Sequence, residues 1–330
     1  MRVSVVLAAY NAAWCIERGL DSVLAQSRPA EEIIVCDDGS TDGTPDLVER
    51  RYGGAVTVLR LPHRNAAAAQ RAGLERARGD WLALLDADDL WAPEKLERQS
   101  AFLERHPEVR WMTSDGRQVS DQGVLRPSWL MEYFDPVQDL AGDLLMPLLE
   151  RCFPLVSGSL IERQAYEAVG GLDADLAYSH DYDLWLRLAA RYPGGVLAEP
   201  LVDYFSAPGQ LSRNLEARFR DDLSILRRVE RSGLGRGPVV RRRAAARAAA
   251  LEFDLAIVSA RAGRLREARG QLWRAARGGP WERRLVAAGG ALLPAWAFGR
   301  LMRSSWVKES VKRSRRKVER LAAPTEDPGT

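Results

Sequence analysis

Cysteine is scarce in this chain of 330 residues: there are three, Cys15, Cys36 and Cys152. The number is odd and the spacing fits no metal-ligand set, so neither a disulfide framework nor a cysteine-held metal organises the fold. Cys36 falls in an apolar run and reads as a buried thiol. Such usage fits a reducing, cytoplasmic setting. Long apolar runs are lacking too. No stretch reaches the roughly 18–20 uninterrupted apolar residues that span a bilayer. The longest candidate, residues 285–302, is broken by Gly289, Gly290, Pro294 and Arg300. The opening MRVSVVLAAYN has too short an apolar run for a secretory leader and passes directly into strand and turn patterning. Charge is plentiful but divided. Residues 1–212 hold 20 Lys and Arg against 33 Asp and Glu, a net of −13, and residues 213–323 hold 28 against 10, a net of +18. An acidic front and a basic back imply two parts with different partners.

The first 115 residues alternate strand and helix signals. Branched apolar runs at 3–8, 32–36, 56–61 and 81–85 read as buried strands. Helical spacing marks 14–26, 44–51, 66–77 and 93–106, with Thr44 as the expected N-cap ahead of Pro45 and Gly79 as an expected helix end. A fifth strand is expected at 110–114. Such alternation predicts a doubly wound, mostly parallel sheet flanked by helices. The pattern weakens over 118–154. Further on, helices are expected at 144–151, 163–169 and 181–192, and strands at 155–162 and 197–204, the last at a sheet edge because of Pro200. After residue 212 the composition turns to Ala, Arg and Leu, with helices expected at 215–231, 239–262, 265–277 and 281–302. The expected division is 1–212 as one α/β domain (halves 1–115 and 116–212), 213–307 as a basic α-helical region, and 308–330 as a basic, disordered tail.

Acids fall at the strand ends. Asp37 and Asp38 close the second strand, and Asp86, Asp88 and Asp89 close the fourth. Ligands of open parallel sheets bind at the carboxyl ends of strands. Carboxylates crowded there either raise one another's pKa values or capture a cation. All-oxygen ligation suits Mg²⁺ or Mn²⁺, which take one or two carboxylates plus substrate phosphates. The plainer alternative is that Asp88 or Asp89 caps the helix beginning near Pro93.

Four segments occur in order: VSVVLAAYN, EIIVCDDGSTDGT, the stretch from Asn65 to Gly73, and LLDADD. Together they resemble family 2 glycosyltransferases of the GT-A fold, and the resemblance continues through GGLDADLAYSHDYDLWLRL to about Ser212. It implies that Ala8, Tyr10 and Asn11 meet the base and ribose of a nucleotide-sugar donor. It implies that Asp37 and Asp38 recognise base or ribose, and that Arg71 lies near the nucleotide. Asp86 would face the ribose or metal, and Asp88 would ligate Mn²⁺ or Mg²⁺. Asp181, near the start of a helix, aligns with the general base that takes the acceptor's proton. The plain alternative for Asp181 is a helix cap. Asp183 and Trp185 read as structural.

The chain departs from the family's usual pattern in places. Ala9 stands where Pro is common, Ala66 to Ala69 where Gly is common, and His180 replaces the first acid of a pair. The Tyr204-Phe205 pair lacks the Arg that often follows Tyr, leaving Arg213 as a substitute phosphate contact. Competing readings are a nucleotidyltransferase acting on sugar phosphates, a phosphatase with an aspartate nucleophile, and a non-enzymatic module using the basic C-terminal helices on membrane or nucleic acid. The first lacks its Gly-rich basic loop after strand one, and the second lacks Asp-x-Asp there. The expectation is an inverting transferase using a UDP-sugar, or another nucleoside-diphosphate sugar, on a glycan or lipid-linked acceptor in polysaccharide synthesis. Residues 281–302 and the basic run 308–320 are expected to bring it, peripherally, to an anionic inner membrane face. No nucleic-acid partner is expected.

Overall fold

The apolar run after Met1 has no polar face, which suits a strand covered on both sides. In the structure, a computed structural model that describes residues 1–206 and 214–277, it forms β1 (Val3–Ala9), with Val5, Val6 and Leu7 fully buried. Contacts divide the chain into two units, Met1–Arg213 and Asn214–Thr330.

In the first unit, β1 is flanked by β2 (Glu32–Asp37) and β4 (Trp81–Asp86), and β3 (Thr57–Arg60) lies outside β2. All four run parallel, connected through α1 (Ile16–Leu24), α2 (Thr44–Tyr52) and α3 (Ala66–Arg76). The register sets the strand ends level: Ala9 pairs with Asp37, and Ala8 pairs with Asp86. Next come β5 (Leu90–Trp91), α4 (Lys95–Arg105), β6 (Trp111–Ser120), β7 (Gly123–Arg126), β8 (Leu140–Gly142) and α5 (Leu145–Glu150). A 3₁₀ turn at Val156–Gly158 leads into β9 (Ser159–Glu162), followed by α6 (Arg163–Ala168), α7 (His180–Arg191) and β10 (Gly194–Phe205). The sheet order is β3-β2-β1-β4-β9-β6-β10-β5. β9 runs antiparallel to both neighbours, so the sheet is parallel in its first half and mixed beyond β4.

Two local expectations are corrected. β10 is no edge strand: it pairs with β6 on one side and with β8 and β5 on the other. Pro200 is tolerated because the β6 register slips on both sides of it, between Leu197 and Pro200 and again before Asp203. Thr44 is the first residue of α2 and not its cap. Gly43, at φ 84°, holds the cap position, and the Asp42 carboxylate accepts from the Thr44 amide at 3.0 Å.

The second unit begins with α8 (Leu215–Ser232), capped by the Asn214 side chain, which accepts from the Ala217 amide at 3.2 Å. α9 (Pro238–Arg261) packs on α8 and on α10 (Leu265–Ala275) around Phe253, Ala256, Ile257, Ala268 and Leu272. A buried carboxylate survives only when paired; here Glu252 accepts from Arg274 at 2.7 Å. The expected helix at 281–302 and the tail 308–330 lie outside the described residues. Among the described residues no helix is long and apolar enough to cross a membrane.

Candidate active site

Level strand ends turn three consecutive loops into one rim. The first, after β1, is held by the second: Ser40 accepts from the Asn11 amide (2.9 Å), Thr44 from the Ala12 amide (2.9 Å) and Asp42 from the Ala13 amide (3.0 Å). Hence the polar turn DDGSTDGT clamps the loop after β1. Asn11 sits at φ 49°, a left-handed conformation that Asn tolerates. Its side-chain oxygen accepts from the Thr41 amide at 2.9 Å. Ala8 lies level with Asp86. Tyr10 is half exposed and its ring stacks on His63, centroids 4.2 Å apart and planes 17° apart. His63, unremarkable in sequence, reaches the rim only through the fold.

The two acids after β2 divide their work. Asp38 has both oxygens engaged, one with the Arg64 amide (2.8 Å) and one with His63 Nδ1 (3.0 Å), so it shapes the loop between β3 and α3. Asp37 accepts from the Ser40 amide at 3.1 Å through one oxygen. Its other oxygen is buried with no hydrogen-bond partner. A buried acceptor without a donor is costly, and this one lies at the strand end where a ligand N–H or O–H would satisfy it.

The acidic loop after β4 is tied from behind. Ser157 donates to Asp89 at 2.5 Å and accepts from the Asp86 amide at 3.0 Å, while Asp89 also accepts from the Phe205 amide at 3.0 Å. Asp89, almost fully buried, is the loop's anchor; burial above all, with the charges of Asp86 and Asp88, pushes its carboxyl well above the usual range. Asp86 is pushed up to about 7, by burial first, then by the charges of Asp88 and Asp181. That last influence brings Asp181, on the first turn of α7, into the same group of carboxylates. Asp183 is structural as expected, held by Arg187 at 2.7 Å, and Trp185 is buried against Trp111 at 5.8 Å.

Arg71, expected near the nucleotide, donates its guanidinium to Glu75 at 2.8 Å and to the Leu172 carbonyl at 3.3 Å. A helix turns about 100° per residue, and the preceding residue, Gln70, is the one facing inward: its Nε2 donates to Asp86 at 3.4 Å and its Oε1 meets His180 Nε2 at 3.0 Å.

Among the described residues, no group of three or more His, Cys, Asp or Glu is arranged to hold a metal by itself. A Mg²⁺ or Mn²⁺ ion would need only one or two carboxylates, with substrate phosphates completing its shell. Burial raises Asp86 most, and a divalent cation would relieve the repulsion from Asp88 and Asp181 that adds to it.

Residues 4–163, from β1 to the end of β9, match Glycosyl transferase family 2. The chain carries a family 2 glycosyltransferase domain. An uncharacterized glycosyltransferase of Nostoc sp. is 33% identical over 181 residues, 52% of this chain and 54% of that protein. Escherichia coli WfaP, a UDP-Glc:alpha-D-GlcNAc-diphosphoundecaprenol beta-1,3-glucosyltransferase, is 36% identical over 103 residues, 31% of this chain and 41% of WfaP. In both, the chain spans well under two thirds of the relative's length. The fold resembles S. aureus TarS in complex with UDP (TM-score 0.62, 18% identity, 100% of this chain and 94% of that one). It also resembles the mannosyltransferase PcManGT of Pyrobaculum calidifontis in complex with GDP-Man and Mn²⁺ (TM-score 0.59, 22% identity, 97% of this chain and 87% of that one). At these identities the likeness is one of fold, GT-A in type.

Proposed function

We propose that this glycosyltransferase transfers a sugar, with inversion, from a nucleoside-diphosphate sugar to a hydroxyl of a glycan or lipid-linked acceptor in cell-surface polysaccharide synthesis. The observation that carries the reading is a buried Asp37 oxygen that lacks a donor, level at the strand ends with Asp86 and the acids after β4, and with Asp181 on the first turn of α7 near enough to raise Asp86. UDP in TarS, GDP-Man with Mn²⁺ in PcManGT and the UDP-Glc of WfaP support a nucleotide-sugar donor, with UDP favoured. Asp37 accepts from the base or ribose, Tyr10 offers its stacked ring to the base, and Ala8 meets base or ribose. Asp38 and Asn11 hold that surface in shape. Asp86 faces the ribose or metal, and Asp88 is the metal ligand. Bound there, Mn²⁺ or Mg²⁺ supplies Lewis-acid neutralisation of the departing diphosphate. Asp181 takes the acceptor's proton as the new bond forms, a role worth about 10²–10⁴-fold. One base suffices for one displacement, and one displacement inverts. The basic second unit serves as a peripheral contact to an anionic membrane face, with no nucleic-acid partner.

One experiment carries the test. The thermal midpoint should rise further with UDP, or with GDP, when Mn²⁺ is added, and Asp88→Ala should lose that added rise. Turnover with the sugar nucleotide so identified should give a product of inverted configuration by NMR coupling constants, and Asp181→Asn should cut transfer at least about a hundredfold with nucleotide binding retained. A nucleotide response that Mn²⁺ leaves unchanged, or a product with the donor's configuration, would contradict the proposal.

A further inference from the structure

The buried residues of α3 are Ala67, Ala69, Gly73 and Leu74, with one polar exception, Gln70. Gln70 is 2% exposed, and its partner His180 on α7 is 8% exposed. Burying an amide and an imidazole costs free energy unless both are hydrogen-bonded. Here they bond each other at 3.0 Å, and the Gln70 amide nitrogen reaches Asp86 in a longer contact of 3.4 Å. The bonds run one way: the amide nitrogen donates to Asp86, and the amide oxygen is left to accept from His180, which donates from Nε2. The result is a row of donors from α7 through α3 to the end of β4.

We propose that Gln70 and His180 form a strut between the donor half and the acceptor half of the site, setting how Asp86 and Asp181 stand toward each other. The inference rests on the glycosyltransferase reading. Gln70 and His180 are positioning residues. Asp86 is held from one side by Gln70 and from the other by the Ser157 hydroxyl at its amide. Asp181 follows His180 on the same helical turn, so fixing the imidazole fixes the backbone that presents the carboxylate. An amide suits this place. A lysine or arginine at 70 would compete with a cation for Asp86, and a glutamate would add a fourth charge to three carboxylates that already repel. The amide bridges without changing the charge that a divalent ion meets.

The test uses the full chain and four variants: Gln70→Met, which keeps the length without the hydrogen bonds, His180→Leu, the double variant, and His180→Gln, whose amide can still donate to Gln70. Thermal midpoints establish folding. Calorimetry measures UDP affinity, with GDP as a second probe, in the presence and absence of Mn²⁺, and turnover is followed beside it. Gln70→Met and His180→Leu should each reduce the Mn²⁺-dependent gain in affinity, and turnover, by about 10- to 100-fold, as loss of a ligand's supporting partner does. Metal-free nucleotide affinity, which depends on the Asp37 side, should not change. The double variant should lose no more than the worse single one, because both break one row of bonds. His180→Gln should recover most of the loss. Independent, multiplying effects of the two singles, or an unchanged Mn²⁺ gain in both, would overturn the strut. A wild-type chain that binds neither nucleotide would overturn the glycosyltransferase reading itself, and the strut's role with it.

Discussion

Lys95 is the least comfortable charge in the first unit. It is fully buried on α4, donates to Gln99 at 2.9 Å, lies 3.9 Å from the Trp91 ring centroid, and has no carboxylate within ion-pair distance among the described residues. Burial holds its pKa well below the ordinary lysine value. For a base with a depressed folded pKa, the unfolded chain binds more protons between the two values, so stability rises with pH across that window and is complete above the usual lysine pKa. The slope for one proton is about 1.4 kcal/mol per pH unit. Lys95→Met should therefore be more stable than the parent at neutral pH, with the gap narrowing toward about pH 10, as urea titrations at several pH values would read. A gap that ignored pH would mean that folding leaves the proton affinity of Lys95 unchanged. Single residues also mark where sequence reading stops. Asp37, Asp86 and Asp88 were legible because each ends an apolar run, where a carboxylate has few structural reasons to be. Gln70 was not, because its charged neighbour Arg71 is the more obvious residue to lie near a nucleotide and only the rotation of α3 separates them. Ser157 and His63 sit in irregular segments that carry no period.

At the scale of elements, β1, β2 and β4 declare themselves because a strand buried on both faces must be apolar throughout. β5, β7 and β8 have two, four and three residues, too few to show alternation, and β10 was read as an edge because its Pro200 conceals two register slips. Helix glycines were equally opaque in sequence, and the structure separates them. A Cβ on Gly73 would lie 2.4 Å from Cys36 Sγ and 2.5 Å from Val6 Cγ1, so α3 reaches the sheet only because that position is bare. A Cβ on Gly270 in α10 would meet nothing nearer than the Arg274 side chain at 3.6 Å. Replacing a helical glycine by alanine gains about 1 kcal/mol of propensity, whereas overpacking costs about 1–3 kcal/mol. Gly270→Ala should therefore raise the stability of its unit by up to about 1 kcal/mol. Gly73→Ala should lower that of the first, and with it the fit of Gln70 three residues earlier. Chemical denaturation of the two variants should show opposite signs; equal signs would mean that the contact between α3 and β1 relaxes freely.

Across the whole molecule the division of charge is the clearest feature. The first unit has the wrong sign for an anionic surface, with a net of −13 over residues 1–212, and the excess positive charge lies after residue 212. Part of it is concentrated at the start of α9, where Arg241, Arg242 and Arg243 are exposed beside Val239, itself 54% exposed. Near an anionic leaflet each basic residue contributes about 1 kcal/mol, and the attraction is screened as the Debye length falls from about 10 Å at 0.1 M salt to about 3 Å at 1 M. Three charges reversed together should thus remove several kcal/mol of surface attraction, enough to change partitioning by orders of magnitude, while leaving the first unit untouched. The full chain should float with vesicles containing phosphatidylglycerol, remain behind with purely zwitterionic vesicles, and be released by about 1 M salt. The triple variant Arg241→Glu, Arg242→Glu, Arg243→Glu should float poorly on the same anionic vesicles yet keep its thermal response to nucleotide and Mn²⁺. Flotation that persisted in the triple variant would assign the contact to other residues, and flotation on zwitterionic vesicles at 1 M salt would replace charge with apolar insertion as its cause.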